Sequence, residues 1–175
     1  MTDVPVLETE RLILRGYRMA DFAEFAKIWT EPDVVRFIMK KPQTEEESWA
    51  RFLRVIGHWR LLGKGFWLIE EKATGQQIGQ GGYVEGRRAI VPSFIGEPEA
   101  GWSLRTSAQG KGYAYEAMSA ALAWGDRTFG RVRQVCIIEI GNDPSMKLAG
   151  KLGFRTVLDT TYHDSPIRVF HRDPR

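Results

Sequence analysis

Gln109-Gly110-Lys111-Gly112-Tyr113-Ala114 follows a strand-like stretch, Ala100 to Leu104, and opens a helical one, Tyr113 to Phe129. A helix start leaves its first amide N–H groups without intrahelical acceptors and gathers partial positive charge. Glycines beside it let a bulky anion reach the backbone, so this order of elements predicts a phosphate site. Two familiar glycine loops do not fit. A Walker loop needs Ser or Thr after its lysine, and Lys111 is followed by Gly112. A Rossmann fingerprint needs a small residue where Tyr115 stands, and an early βαβ unit besides.

The pattern that fits is Q/R-x-x-G-x-G/A, matched by Gln109, Gly112 and Ala114. It resembles the acyl-CoA pyrophosphate loop of the GNAT superfamily of N-acyltransferases. A second motif follows at the family's spacing: an apolar run, Gln134 to Ile140, then Gly141-Asn142-Asp143-Pro144-Ser145, then Leu152-Gly153-Phe154. The opening Glu8-Thr9-Glu10-Arg11-Leu12-Ile13-Leu14-Arg15 is similar to that of the RimJ/RimL-type branch, which acetylates protein N-termini and other amines. The resemblance covers nearly the whole chain.

It implies acetyl-CoA as acyl donor, held by Gln109, Gly110, Lys111, Gly112, Tyr113 and Ala114, by Trp102, Leu104 and Arg105 of the preceding strand, and by Asn142 and Ser145. A backbone amide near Leu104 and Arg105 would polarise the thioester. Many members carry a tyrosine general acid where this chain has Ala149. RimJ/RimL-type sequences share that absence and have a serine at the place of Ser145, here either a proton donor or the cap of a helix starting near Pro144. A thiolate whose pKa is about 8.5 can also leave without a dedicated acid.

Transfer to an amine further requires a group that removes the ammonium proton. Strand alternation places Glu97, Glu99, Gly101 and Ser103 on one face, with Ala100, Trp102 and Leu104 on the other. Glu99 is the first candidate base and Glu97 the alternate. Against this stands the reading of both as solvated strand-edge charges.

The remaining elements are read from periodicity. Leu12 to Tyr17 reads as a strand, and Asp21 begins a helix carrying Phe22, Phe25, Ala26 and Trp29 that Glu31-Pro32-Asp33 breaks. Thr44 and Glu47 form a capping-box pattern ahead of Trp49, Phe52, Leu53, Ile56 and Trp59, aromatics and aliphatics expected in the core. Gly63-Lys64-Gly65 ends that helix, and Phe66 to Glu71 and Gln77 to Val84 are strands around Ala73-Thr74-Gly75. Gly79-Gln80-Gly81-Gly82 suggests a bulge, a close approach or simple twist. Glu85 to Pro98 is a loop, and Phe154 to Tyr162 with Ile167 to Arg172 a closing hairpin.

This order predicts a single domain over 1–175 of α+β class. The GNAT resemblance implies a mixed, mostly antiparallel sheet with helices on both faces and a splayed parallel pair, roughly Glu99 to Leu104 and Gln134 to Ile140. A net charge of +3, from 25 basic and 22 acidic residues spread along the chain, gives no basis for nucleic-acid binding. The lone Cys136 sits in an apolar run and reads as a buried thiol, and His58, His163 and His171 are too scattered for a metal site. With no signal-like start and no apolar run near the ~18 residues of a membrane span, the expected location is cytoplasmic. The acceptor is an amine on a protein N-terminus or small molecule, and the protein a monomer or homodimer. Competing readings are a non-catalytic acyl-CoA-binding module and an acyltransferase for longer acyl chains.

Overall fold

The computed structural model describes residues 4–174. Eight strands form one sheet in the order β1-β2-β3-β4-β5-β6-β8-β7. They are β1 (Leu7–Glu8), β2 (Leu12–Arg15), β3 (Phe66–Glu71), β4 (Gln76–Val84), β5 (Glu99–Leu104), β6 (Gln134–Glu139), β7 (Arg155–Tyr162) and β8 (Ser165–Arg172). Every neighbouring pair is antiparallel except β5 and β6, which are parallel. The mixed sheet and its one parallel pair agree with the reading of the sequence.

Helices cover both faces. On one lie α4 (Tyr113–Phe129) and α5 (Asp143–Lys151). On the other lie α1 (Phe22–Ile28) and α3 (Glu45–Leu62), with the single turn α2 (Pro32–Val35) between them. Proline at the first position of α2 explains why Glu31-Pro32-Asp33 starts a new turn rather than only ending α1. The capping box of α3 is formed as expected: Thr44 Oγ1 accepts from the Glu47 amide at 3.2 Å, and the Thr44 amide donates to Glu47 Oε2 at 2.9 Å. Gly63, in the left-handed region, stops it.

One detail of α3 departs from expectation. Its buried face is Ser48, Phe52, Val55 and Trp59, whereas Trp49, Leu53 and Ile56 are exposed. Apolar residues run around too much of this helix for spacing alone to select the stripe, and packing of Phe52 against Phe25, at 5.3 Å, selects it.

The largest apolar cluster lies under α4. There Trp67 of β3 is fully buried, with Trp59 at 4.6 Å and Trp124 at 5.0 Å in edge contacts. Tyr83 extends the cluster, its hydroxyl donating to Gln134 Oε1 at 2.9 Å. A Cβ on Gly125 would collide with that hydroxyl, which is why α4 carries glycine there.

Between β2 and α1, Arg15 joins Asp21 at 2.9 Å and Glu70 at 2.9 Å. Burial raises the Asp21 carboxyl, and hydrogen bonds from Arg15 and the Arg18 amide outweigh it, so the net shift is downward. A carboxyl depressed by folding stabilises above its unfolded pKa of about 3.9, and that stabilisation is lost as pH falls through the lower folded value. Asp21→Asn should therefore cost about 1–3 kcal/mol in urea unfolding at pH 7. The gap to wild type should close progressively below about pH 4.

Candidate functional site: a splayed strand pair and a glycine turn

β5 and β6 pair only at Glu99 and Val135, where the Val135 amide donates to the Pro98 carbonyl at 3.0 Å. Beyond that point they separate. β4 skips Ile78 in its register with β3, a bulge, and the Ile78 carbonyl accepts the Arg105 amide at 2.9 Å, holding the end of β5 to β4. Gly79 permits this approach, since a Cβ there would collide with the Ser103 carbonyl. The glycine run thus marks a bulge and a close backbone contact.

Backbone groups alternate sides along a strand. Because Pro98 bonds toward β6 and Arg105 toward β4, the peptide groups of Trp102 and Leu104 turn toward the gap. The Leu104 carbonyl accepts Gln109 Nε2 at 3.0 Å. Of the two amides singled out from the sequence, Arg105 is spoken for and Leu104 faces the opening. The Arg105 side chain is also engaged, reaching Glu31 at 3.7 Å and Glu24 at 3.8 Å. It ties α1 and α2 to the end of β5. Trp102 is half-buried against the cluster beneath α4.

The glycine turn sits at the open end of the gap. Gly110 and Gly112 have φ of 75° and 81°, left-handed values that favour glycine. The Gln109 amide donates to the Thr106 carbonyl at 3.2 Å, and the next amide along the chain with a backbone acceptor is that of Glu116 in α4, which donates to the Gly112 carbonyl at 3.1 Å. The amides of Gly110 to Tyr115 have no acceptor among the described residues. This donor set fits a polyphosphate. Lys111 is exposed, Ala114 packs on the core, and the Tyr113 hydroxyl donates to Glu71.

Both candidate bases are held by arginines. Glu99 is buried and its two oxygens take Arg88 Nε at 2.8 and 2.9 Å, while the guanidinium lies 5.0 Å from the centre of the Tyr162 ring. Glu97 is paired with Arg133 at 2.6 Å. Neither is a plain solvated edge charge, since each has a guanidinium as its partner.

A third carboxylate escaped the sequence reading. On β6, Cys136 and Ile138 join the cluster beneath α4, while Val135 and Ile137 pack on the opposite side with Ile167 and Val169. Alternation puts Glu139 on that opposite side, the face of Glu99 and Ser103, at the open end of the gap. It is half-buried, with no hydrogen-bond or ionic partner for its side chain among the described residues. The signal was present as a lone acid ending an apolar strand, two residues beyond Ile137.

The same face carries further polar groups. Ser103 Oγ is buried without a partner, and beside it in register Gln80 Oε1 accepts the Tyr17 hydroxyl at 3.2 Å. Phe66 lies over Gly101, where a Cβ would stand 3.0 Å from its ring. At the end of β6, Asn142 caps α5: its Oδ1 accepts the Ser145 amide at 3.3 Å. The cap is therefore Asn142 and not Ser145, whose hydroxyl is left unused in the third position of the helix. Ala149 is fully buried. Cys136 is buried as expected, and burial, with the charge of Glu99, pushes its thiol well up. The described residues contain no cluster of three metal-ligating side chains and no helix long and apolar enough to cross a membrane.

The chain is similar to known proteins in sequence and in fold. The YkkB protein of Bacillus subtilis is 31% identical over 175 residues, 95% of this chain and 94% of its own. A solved structure of the GnaT acetyltransferase family from Bordetella pertussis superposes with a TM-score of 0.86 at 34% identity, covering 96% of this chain and 99% of that one. The RimL ribosomal L7/L12 alpha-N-protein acetyltransferase in complex with coenzyme A shares the fold, with a TM-score of 0.78 at 15% identity over 97% of this chain and 98% of that one. The profile of the acetyltransferase (GNAT) domain matches residues 11–155, and with it this chain belongs to the GNAT acetyltransferase family.

Proposed function

We propose that the protein is an acetyl-CoA-dependent N-acetyltransferase of the RimJ/RimL-type branch that acetylates a primary amine on a protein N-terminus or a small molecule. The observation that carries this reading is the gap between β5 and β6 leading into a glycine turn with unpaired amides. Acetyl-CoA supplies an acyl group on a thiol leaving group. The amides of Gly110 to Ala114 hold its phosphates, with Gln109 bracing the turn against Leu104. The Leu104 amide, turned to the gap, is the donor aimed at the thioester oxygen.

An amine must lose a proton before it attacks, and a carboxylate without a cation of its own serves this best. Glu139 fits that description, and it takes the role assigned from sequence to Glu99. Glu99, fastened to Arg88, closes the narrow end of the gap. Ser145 presents its hydroxyl to the departing thiolate. The chain acts in the cytoplasm as one domain, monomeric or dimeric, without metal or nucleic acid.

Free-thiol release from acetyl-CoA across a panel of amino acids, peptides, polyamines and aminoglycosides tests the reading. At least one amine should give turnover with a stoichiometric acetylated product. Tight coenzyme A binding with no turnover on any amine would favour the non-catalytic module, and preference for a long acyl chain would overturn the acetyl assignment.

A further inference from the structure

The turn that binds phosphate in the proposed function is held from outside as well as by its own Gln109. Arg11, some hundred residues earlier in the chain, donates from Nη1 to the Lys111 carbonyl at 3.0 Å and from Nε to Glu116 Oε2 at 2.6 Å. Its Nη2 lies 2.6 Å from the same Glu116 oxygen, and its guanidinium stacks 4.5 Å from the centre of the Tyr113 ring. The other Glu116 oxygen takes the Arg11 amide at 2.8 Å and Thr9 Oγ1 at 2.6 Å. The strand is itself anchored, since the Arg11 carbonyl accepts the Lys72 amide at 2.9 Å.

Two consequences follow for an anion. A peptide group is planar and trans, so its C=O and N–H point in opposite directions. Tying the Lys111 carbonyl to Arg11 therefore turns the Gly112 N–H the other way, away from the guanidinium. Glu116, meanwhile, is an acid in the first helical turn, where a free carboxylate would repel phosphate at the end of the helix that should attract it. Burial raises its carboxyl, but hydrogen bonds from Thr9 and Arg11 outweigh this and keep it ionised, with Arg11 cancelling its charge.

We propose that Arg11 is the positioning residue of the donor site: it orients the Gly112 amide toward phosphate and neutralises Glu116 behind the turn. This rests on the acetyl-CoA reading above. Arg11 acts through the turn and not as a phosphate ligand, because its guanidinium faces Glu116 and the Lys111 carbonyl. Lysine cannot replace it, since one ammonium does not reproduce the fork that holds Glu116 while reaching the carbonyl.

The test is calorimetric coenzyme A binding, with acetyl-transfer kinetics, on wild type, Arg11→Gln, Arg11→Lys, Glu116→Gln and the double variant Arg11→Gln with Glu116→Gln. Arg11→Gln should raise Kd for coenzyme A and KM for acetyl-CoA about tenfold, with kcat at saturation within about twofold. Arg11→Lys should behave like Arg11→Gln, and the double variant should recover part of the loss by removing the repelling charge. Full rescue by lysine, an unchanged Kd in Arg11→Gln, or a fall in kcat with KM unchanged overturns the inference. If Arg11→Gln melts below assay temperature, the contrast between Arg11→Lys and Glu116→Gln decides it, because only the former should weaken binding. Wild-type protein that binds no coenzyme A overturns the donor reading itself, whereas wild-type binding with an indifferent Arg11→Gln removes this inference alone.

Discussion

Glu139→Gln should lower kcat/KM for the best amine by about 10²–10⁴-fold, the usual contribution of a positioned general base. The isosteric amide keeps the shape of the site and removes only its capacity to take a proton. Because the acceptor then has to arrive already neutral, the variant should recover as pH approaches the acceptor's own pKa, about 8 for an α-amine. Glu99→Gln should behave differently. It strips Arg88 of its partner and leaves a largely buried cation unpaired, so its main cost should fall on stability, with kcat within about tenfold of wild type. Kinetics and melting of both variants check this together. A large loss of kcat in Glu99→Gln at unchanged stability, with Glu139→Gln near wild type, would return the base to Glu99.

Trp67→Ala should destabilise the fold by about 3–5 kcal/mol, the range for removing a large buried aromatic. Its ring is wholly enclosed, bridges Trp59 of α3 and Trp124 of α4, and donates Nε1–H to the Pro5 carbonyl at 2.7 Å. One side chain thus links the C-terminal end of α3 and the middle of α4 to β3. For a chain of this length, such a loss corresponds to a melting point lower by roughly 10 °C. Trp67→Phe, which keeps a ring but loses the hydrogen bond, should fall between. A cost below about 1 kcal/mol in urea unfolding of Trp67→Ala would show that the cluster closes over the vacancy.

Much of the architecture was legible because local signals agreed. The spacing of Thr44 and Glu47 located the start of α3, Gly63 its end, and the apolar run from Gln134 to Ile140 a strand buried on both sides. The boundaries of α4 follow from the turn before it and Gly130 after it. The buried stripe of α3 was less readable, since Trp49, Leu53 and Ile56 are as apolar as the residues that face inward. Likewise the role of Asn142 as cap, with Ser145 inside the helix, depends on where the first turn closes.

The carboxylates show the same division more sharply. Strand alternation is a local property, and it placed Glu99 on the face opposite Trp102 and Leu104 without help from the structure, whereas Glu97 lies in a bend before β5 begins. Which acid is free is not local. Arg88 reaches Glu99 from a loop, Arg133 reaches Glu97 from beyond α4, and only the folded chain brings each guanidinium to its partner.

Taken alone, the sequence determined the order of elements and the turn from Gln109 to Ala114, because glycine conformation, helix ends and hydrophobic period act over a few residues. The tertiary structure decided which amide faces the gap, which carboxylates are neutralised and what braces the turn. Those depend on the Ile78 bulge and on ion pairs between residues as distant as Arg11 and Glu116, whose meeting no local rule prescribes.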